Sequence, residues 1–180
     1  MPIDLSAFRV LIKKIFPPKK SIFKVDTTGN GLADSILIKA QNLIVPFVVP
    51  DKIELGDRNL KNFDLNDFDL SEQLTIKFDD EPINLSKRNV NLKTVQDRFL
   101  LYHKGESFTI SEILGGKLSR RTIALGDFIL ILIKLDTKSL EKLTKGKHVL
   151  SFEGQNVPKL EINFELHDEN MNQRFDPQKI

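Results

Sequence analysis

The sequence contains no cysteine and no tryptophan, and only one tyrosine. Without cysteine there can be no disulfide scaffold, thiolate zinc site, iron–sulfur cluster or cysteine nucleophile. Carbohydrate recognition and base stacking both lean on exposed aromatic side chains, so the lack of Trp and near-lack of Tyr argue against both, and the thirteen phenylalanines are assigned mainly to the core. Long apolar runs are missing too. The longest stretch, Phe128 to Leu135, is interrupted by Lys134 and falls far short of the roughly 18 residues that a membrane-crossing helix needs. Nor is there an excess of either charge: 27 Lys and Arg face 25 Asp and Glu, for a formal charge of +2 and a pI near 8.7. That balance gives no case for a dedicated nucleic-acid binder. The start of the chain lacks the basic, apolar and small-residue order of a signal peptide, so the expected location is cytoplasmic, or exported if a leader has been removed.

The 180 residues are 40% hydrophobic, the usual share for a chain that builds one globular core. Ile3, Leu5, Phe8, Leu11, Ile12, Ile15 and Phe16 recur at three- and four-residue spacing, which predicts an amphipathic helix ended by Pro17 and Pro18. Residues 1–20 thus read as a helix with a basic collar, packed on the rest of the fold. Arg9, Lys13, Lys14, Lys19 and Lys20 beside that apolar stripe also suit an anionic membrane surface or a partner.

Residues 21–167 read as a β-domain. Ser21–Val25 and Ser35–Ala40 flank a glycine-rich connection and predict a hairpin; Pro46 demotes Leu43–Val49 to an edge strand or bulge, and Lys52–Leu55 extends the same sheet. Residues 56–73 carry four aspartates and the near-repeat Asn62-Phe-Asp-Leu65 and Asp67-Phe-Asp-Leu70, and are expected to be a loop pinned by its phenylalanines. Strand signals then follow at short intervals: Leu74–Phe78, Arg98–His103, Ser107–Leu114, Arg120–Leu125, Phe128–Leu135, His148–Phe152 and Lys159–His167. Leu160, Ile162, Phe164 and Leu166 alternate with polar residues, as in a half-buried strand, whereas Phe128-Ile-Leu-Ile-Leu-Ile133 is apolar on both faces and should be central. Thr137–Leu143 predicts one helical turn between two sheets, and residues 168–180 a polar, mobile tail. The expected fold is all-β, an antiparallel β-sandwich of immunoglobulin-like or jelly-roll type with an N-terminal amphipathic helix.

The stretch Gly126-Asp-Phe-Ile-Leu-Ile-Leu-Ile, with Gly146-Lys-His148-Val-Leu-Ser-Phe152-Glu-Gly154 and the alternating last strand, resembles the C-terminal half of uncharacterised bacterial immunoglobulin-like sandwich domains. The resemblance covers roughly residues 95–167, and it implies a fold and no activity. Members of that group are commonly exported, and the missing leader is a departure from their pattern.

Asp26, Thr28, Asn30 and Asp34 occupy positions 1, 3, 5 and 9 of a calcium-loop register, with Gly31 where such a loop turns. Position 12, which should supply a bidentate glutamate, is Leu37, so the segment also reads as a plain Gly-Asn-Gly hairpin turn. Calcium is accordingly the one candidate cofactor. His103 and His148 sit in strand patterns as satisfied core rings, with His148 expected to bond a nearby backbone carbonyl. Gly-x-Ser-x-Gly is absent, Gly115-Gly-Lys-Leu-Ser119 lacks the helix that would follow a phosphate cradle, and Asp79-Asp-Glu81 reads as a solvated loop. Basic residues at Lys87-Arg88, Lys117-Arg120-Arg121 and Lys142-Lys145-Lys147 would form a positive rim if these loops met. No nucleophile, base and orienting group can be assembled from these spacings. The expected function is a non-catalytic structural or adaptor module acting through a protein partner or self-association. The alternatives are a capsid-type assembly sandwich and a calcium-dependent adhesion or sugar-binding module.

Overall fold

The chain reverses locally at tight turns, whose backbone conformation is set by a few adjacent residues. Lys104 and Gly105 both have positive φ (50° and 77°), as do Asp79 and Asp80 (49° and 67°), and each pair is the two-residue loop of a hairpin whose twist matches its strands. A computed structural model describes residues 12–43, 45–49, 74–83, 98–154 and 157–176. In chain order its strands are β1 (Ile22–Asp26), β2 (Ser35–Gln41), β3 (Phe47–Val48), β4 (Leu74–Phe78), β5 (Glu81–Pro82), β6 (Phe99–His103) and β7 (Glu106–Thr109). The helix α1 (Ile110–Leu114) and β8 (Thr122–Ile123) follow, then β9 (Phe128–Lys134), α2 (Thr137–Lys142), β10 (Gly146–Gly154), β11 (Val157–Leu166), a 3-10 turn (Asp168–Asn170) and β12 (Gln173–Arg174). The fold is mostly β, as expected.

The strands form a six-stranded sheet, β12-β1-β2-β9-β6-β7, a four-stranded sheet, β11-β10-β4-β5, and a small β3-β8 pair. All pairings are antiparallel except β1 with β12. One buried cluster joins the two large sheets: Ile22, Ile36, Ile38 and Ile133 from the first, Ile76, Leu150, Ile162, Phe164 and Leu166 from the second. Leu140 and Leu143, in and just after α2, close one end of this core. Burying each such side chain contributes about 1.5–3 kcal/mol, so this cluster dominates stability.

The outer faces of the two sheets differ. On β11 the outward residues are Glu161, Asn163 and Glu165, so the four-stranded sheet shows a polar face to solvent. The outer face of the six-stranded sheet instead carries a second cluster, Val25, Leu37, Leu130 and Leu132, flanked by Phe23, Leu100, Tyr102 and Phe175. β9, apolar on both sides, is indeed an interior strand, between β2 and β6.

Several expectations are revised. Ser107–Leu114 is a strand only to Thr109. Thr109 then caps α1 by accepting from the Glu112 amide while the Glu112 carboxylate accepts from the Thr109 amide, which satisfies orphan amides and turns the chain out of the sheet. Among the described residues of the run 43–49 the strand is confined to Phe47–Val48, Pro46 having no amide to donate. Residues 168–176 are not a loose tail, since Asn170 and β12 bind them back to β1. Of the N-terminal segment, residues 12–15 are helical and Phe16 packs on the main core; residues 1–11, like 52–55, 56–73 and 177–180, lie outside the described residues.

Candidate functional site

The loop from Asp26 to Asp34 brings all four predicted calcium ligands onto one turn, but engages their oxygens in hydrogen bonds of the loop itself. Asp26 is only 3% exposed. Its Oδ1 accepts from the amides of Thr28 (3.0 Å) and Gly29 (2.7 Å) and from the Thr28 hydroxyl (3.1 Å), and its Oδ2 accepts from the Gly31 amide (2.6 Å). Burial alone would raise the Asp26 pKa; the bonds from Gly31, Gly29 and Thr28 outweigh it and leave the carboxyl below its ordinary range. The Asp34 carboxylate accepts from the amide and hydroxyl of Thr27 and from Ser35 Oγ, and Asn30 Oδ1 accepts from the Leu32 amide. Gly29 and Gly31 are needed here, at φ of 79° and 87°, because they aim their amides at Asp26. Among the described residues no group of three or more His, Asp and Glu side chains is placed to hold a metal ion.

Lys13, Lys14, Lys19 and Lys20 are exposed, with Lys19 3.9 Å from Glu165, while Arg9 lies outside the described residues. The basic loops are largely neutralised: Lys117 pairs with Glu112, Arg121 with Glu106, Lys142 with Glu81 and Lys145 with Asp168. Lys87 and Arg88 lie outside the described residues. Among the described residues no helix is long and apolar enough to cross a membrane.

Both strand histidines meet carboxylates that sequence spacing did not reveal. His148 Nδ1 lies 2.6 Å from Asp79 Oδ2, its Nε2 lies 2.8 Å from the Thr144 carbonyl, and its ring stacks on Phe164. This pair resembles two members of a catalytic triad, but the far nitrogen faces a main-chain carbonyl, which has no proton to surrender. Asp79 Oδ1 also accepts from the Val149 amide, so the unit pins the β4–β5 turn onto β10. His103 Nε2 lies 3.2 Å from Asp127 Oδ2, where the Ala124 amide and Lys104 also converge. The Ala124 amide foremost, then Lys104, holds the Asp127 carboxyl below its usual range.

One further buried cation went unpredicted. Lys24 points inward from β1 and donates to the carbonyls of Leu140 (2.9 Å) and Leu143 (3.0 Å) at the C-terminal end of α2, where such carbonyls lack helical partners. Burial pushes its pKa down.

The feature best suited to contact with another molecule is an apolar strip. Asn42 Nδ2 donates to the carbonyls of Val45, Ile123 and Ala124, and thereby ties residues 42–49 to residues 121–128. Pairing of Phe47 with Ile123 completes the join. Along these two adjoining segments Val45 (58%), Val48 (58%) and Leu125 (59%) stand exposed, with Leu43, Phe47 and Phe128 less so. The interrupted run at Pro46 was the available signal, since an edge strand with apolar residues has no second sheet to bury them.

Compared with known protein families, with curated proteins and with solved structures, the chain matches none.

Proposed function

We propose that this chain is a non-catalytic immunoglobulin-like sandwich that acts through protein–protein contact as a structural or adaptor module. Strand order supports the immunoglobulin-like part of this reading. The run β1-β2-β9-β6 corresponds to the order A-B-E-D of an immunoglobulin sheet, and β5-β4-β10-β11 to C′-C-F-G. On this correspondence β2 and β10, the strands that antibody domains join by a disulfide, here contribute Ile36, Ile38 and Leu150 to the common core. Apolar packing takes the place of the bridge. The elements β7, α1, the β3-β8 pair and β12 are additions to that plan.

The observation that carries the contact function is the exposed strip of Leu43, Val45, Phe47, Val48, Leu125 and Phe128. Exposed apolar residues scattered singly are ordinary, but six on two segments held side by side mark an interaction surface. Self-association is the form to test first, by light scattering on a sizing column over a range of concentrations. The wild-type chain is expected to run above 20.6 kDa as concentration rises, and Val48→Asp combined with Leu125→Asp to return it to monomer without lowering its melting temperature. A wild-type chain monomeric throughout, and unchanged by these substitutions, would remove the support for self-association through this strip.

A further inference from the structure

His148 is held between two acceptors. Its Nδ1 is 2.6 Å from Asp79 Oδ2 and its Nε2 is 2.8 Å from the Thr144 carbonyl oxygen. Neither partner donates in return: the other oxygen of Asp79 already accepts from the Val149 amide (2.8 Å), and a main-chain carbonyl carries no hydrogen. A neutral imidazole has one N–H and one lone pair. It can serve one of these partners and must turn its lone pair on the other, whereas the imidazolium, with two N–H groups, serves both. Packing keeps the ring in this position, since it is 8% exposed and stacks on Phe164 with centroids 5.4 Å apart and planes at 29°. A cation suits the place, because Phe164 offers a π face and Asp79 a countercharge.

The two acceptors belong to different parts of the fold. Asp79 lies in the turn between β4 and β5, and Thr144 in the connection from α2 to β10. These segments face each other across a cavity of about 330 Å³ lined by Phe78, Ile83, Ser139 and Leu143. The other charged groups nearby have partners or stand in solvent. Glu81 pairs with Lys142 and Lys145 with Asp168, Lys147 lies opposite Glu165 in the β10–β11 register, and Asp80 is exposed. Lys24 donates to the carbonyls of Leu140 and Leu143, just before Thr144. Among the described residues, Asp79 is the charged group that bonds the ring. We infer that His148 is a proton-operated clasp: as the imidazolium it ties the β4–β5 turn to the α2–β10 connection, and on losing a proton it keeps Asp79 and releases Thr144. Asp79 retains the remaining N–H because a charged acceptor makes the stronger bond. The folded chain thus holds a proton that an unfolded histidine gives up near neutral pH, so the stabilisation is present at acidic pH and is lost as pH rises. On the acid side it ends where Asp79 itself takes up a proton. The clasp lies apart from the exposed 43–48 and 125–128 strip and does not depend on the contact function assigned to it.

The test follows the native full chain by NMR, with its histidine rings labelled with nitrogen-15, from about pH 5.5 to about pH 9. Both ring nitrogens of His148 are expected to be protonated at about pH 7. As pH rises further, Nε2 alone should lose its proton while the amides of Thr144, Lys145 and Gly146 shift along the same curve. A ring singly protonated at about pH 7, or a titration that those amides do not follow, would overturn the inference. Asp79→Asn keeps an oxygen for the Val149 amide but removes the countercharge, and should leave the ring singly protonated at about pH 7. Melting temperature gives an independent reading: the advantage of wild type over His148→Gln should be present at about pH 6 and gone by about pH 9. An advantage constant over that range would reject a role for the proton. Lys24, whose pKa burial lowers, is present in both proteins, so its own titration cancels in the difference. If neither variant folds, the ring and amide signals of the wild type decide.

Discussion

At the scale of single residues, the polar groups of this protein act mostly on its own backbone. Asp26 is the clearest case, since four donors from its own loop satisfy it. Its carboxyl is held below the ordinary value in the folded chain, so the unfolded chain binds the proton more readily. The stabilisation is therefore present above the unfolded carboxylate pKa of 3.8 and is lost as pH falls through the folded value. Urea unfolding is expected to show Asp26→Asn less stable than wild type at pH 7, with the difference shrinking as pH falls from about 4 through the lower folded value, beneath which both side chains are neutral. A difference independent of pH would mean that the charge contributes nothing. Because the same lone pairs would have to serve a cation, millimolar calcium should leave the melting temperature unchanged, and a chelator-reversible rise would restore the metal reading. The Gly-Asn-Gly turn was legible in sequence because its chemistry runs over nine residues. The Asp79 partner of His148 was not, because it lies 69 positions away and only strand pairing brings it in.

At the scale of elements, period and turn chemistry read correctly where they agreed and misled where they competed. Outward Glu161, Asn163 and Glu165 against inward Ile162, Phe164 and Leu166 made β11 plain. The segment after Phe108 was misread because Phe108, Ile110 and Leu114 fit the two-residue period of a strand, while the capping box Thr109-Ile-Ser-Glu112 specified a helix start. Thr109→Ala removes the acceptor for the Glu112 amide. It is expected to cost about 0.5–2 kcal/mol in urea unfolding, while a variant with Ser, which keeps the hydroxyl, should stay near wild type. Equal stability of Ala and Ser variants would show that α1 is held by packing alone.

At the scale of the whole molecule, the question is what closes the sandwich after its last long strand. Asn170 answers it: buried, it donates to the carbonyls of Ile22 (3.2 Å) and Glu165 (2.9 Å), and accepts from the His167 amide (2.6 Å). These bonds tie β11, in one sheet, to β1, in the other, and deliver β12 to the edge of the first sheet. Asn170→Ala leaves buried main-chain groups unpaired, and is expected to lower stability by about 1–3 kcal/mol and to open residues 168–176 to proteolysis. Unchanged stability and protease resistance would mean that β12 is held by its own pairing with β1. The sequence by itself determined the β class, the Gly-Asn-Gly turn, the central place of β9 and the absence of any thiol chemistry, because these follow from residue type and spacing along a few neighbouring positions. Tertiary structure alone decided which sheet each strand joins, which carboxylates meet the histidines, and that a polar C-terminal segment returns to pair with β1. Such contacts draw their energy from groups distant in the chain, and the free energy of bringing those groups together depends on the assembled fold rather than on any local pattern.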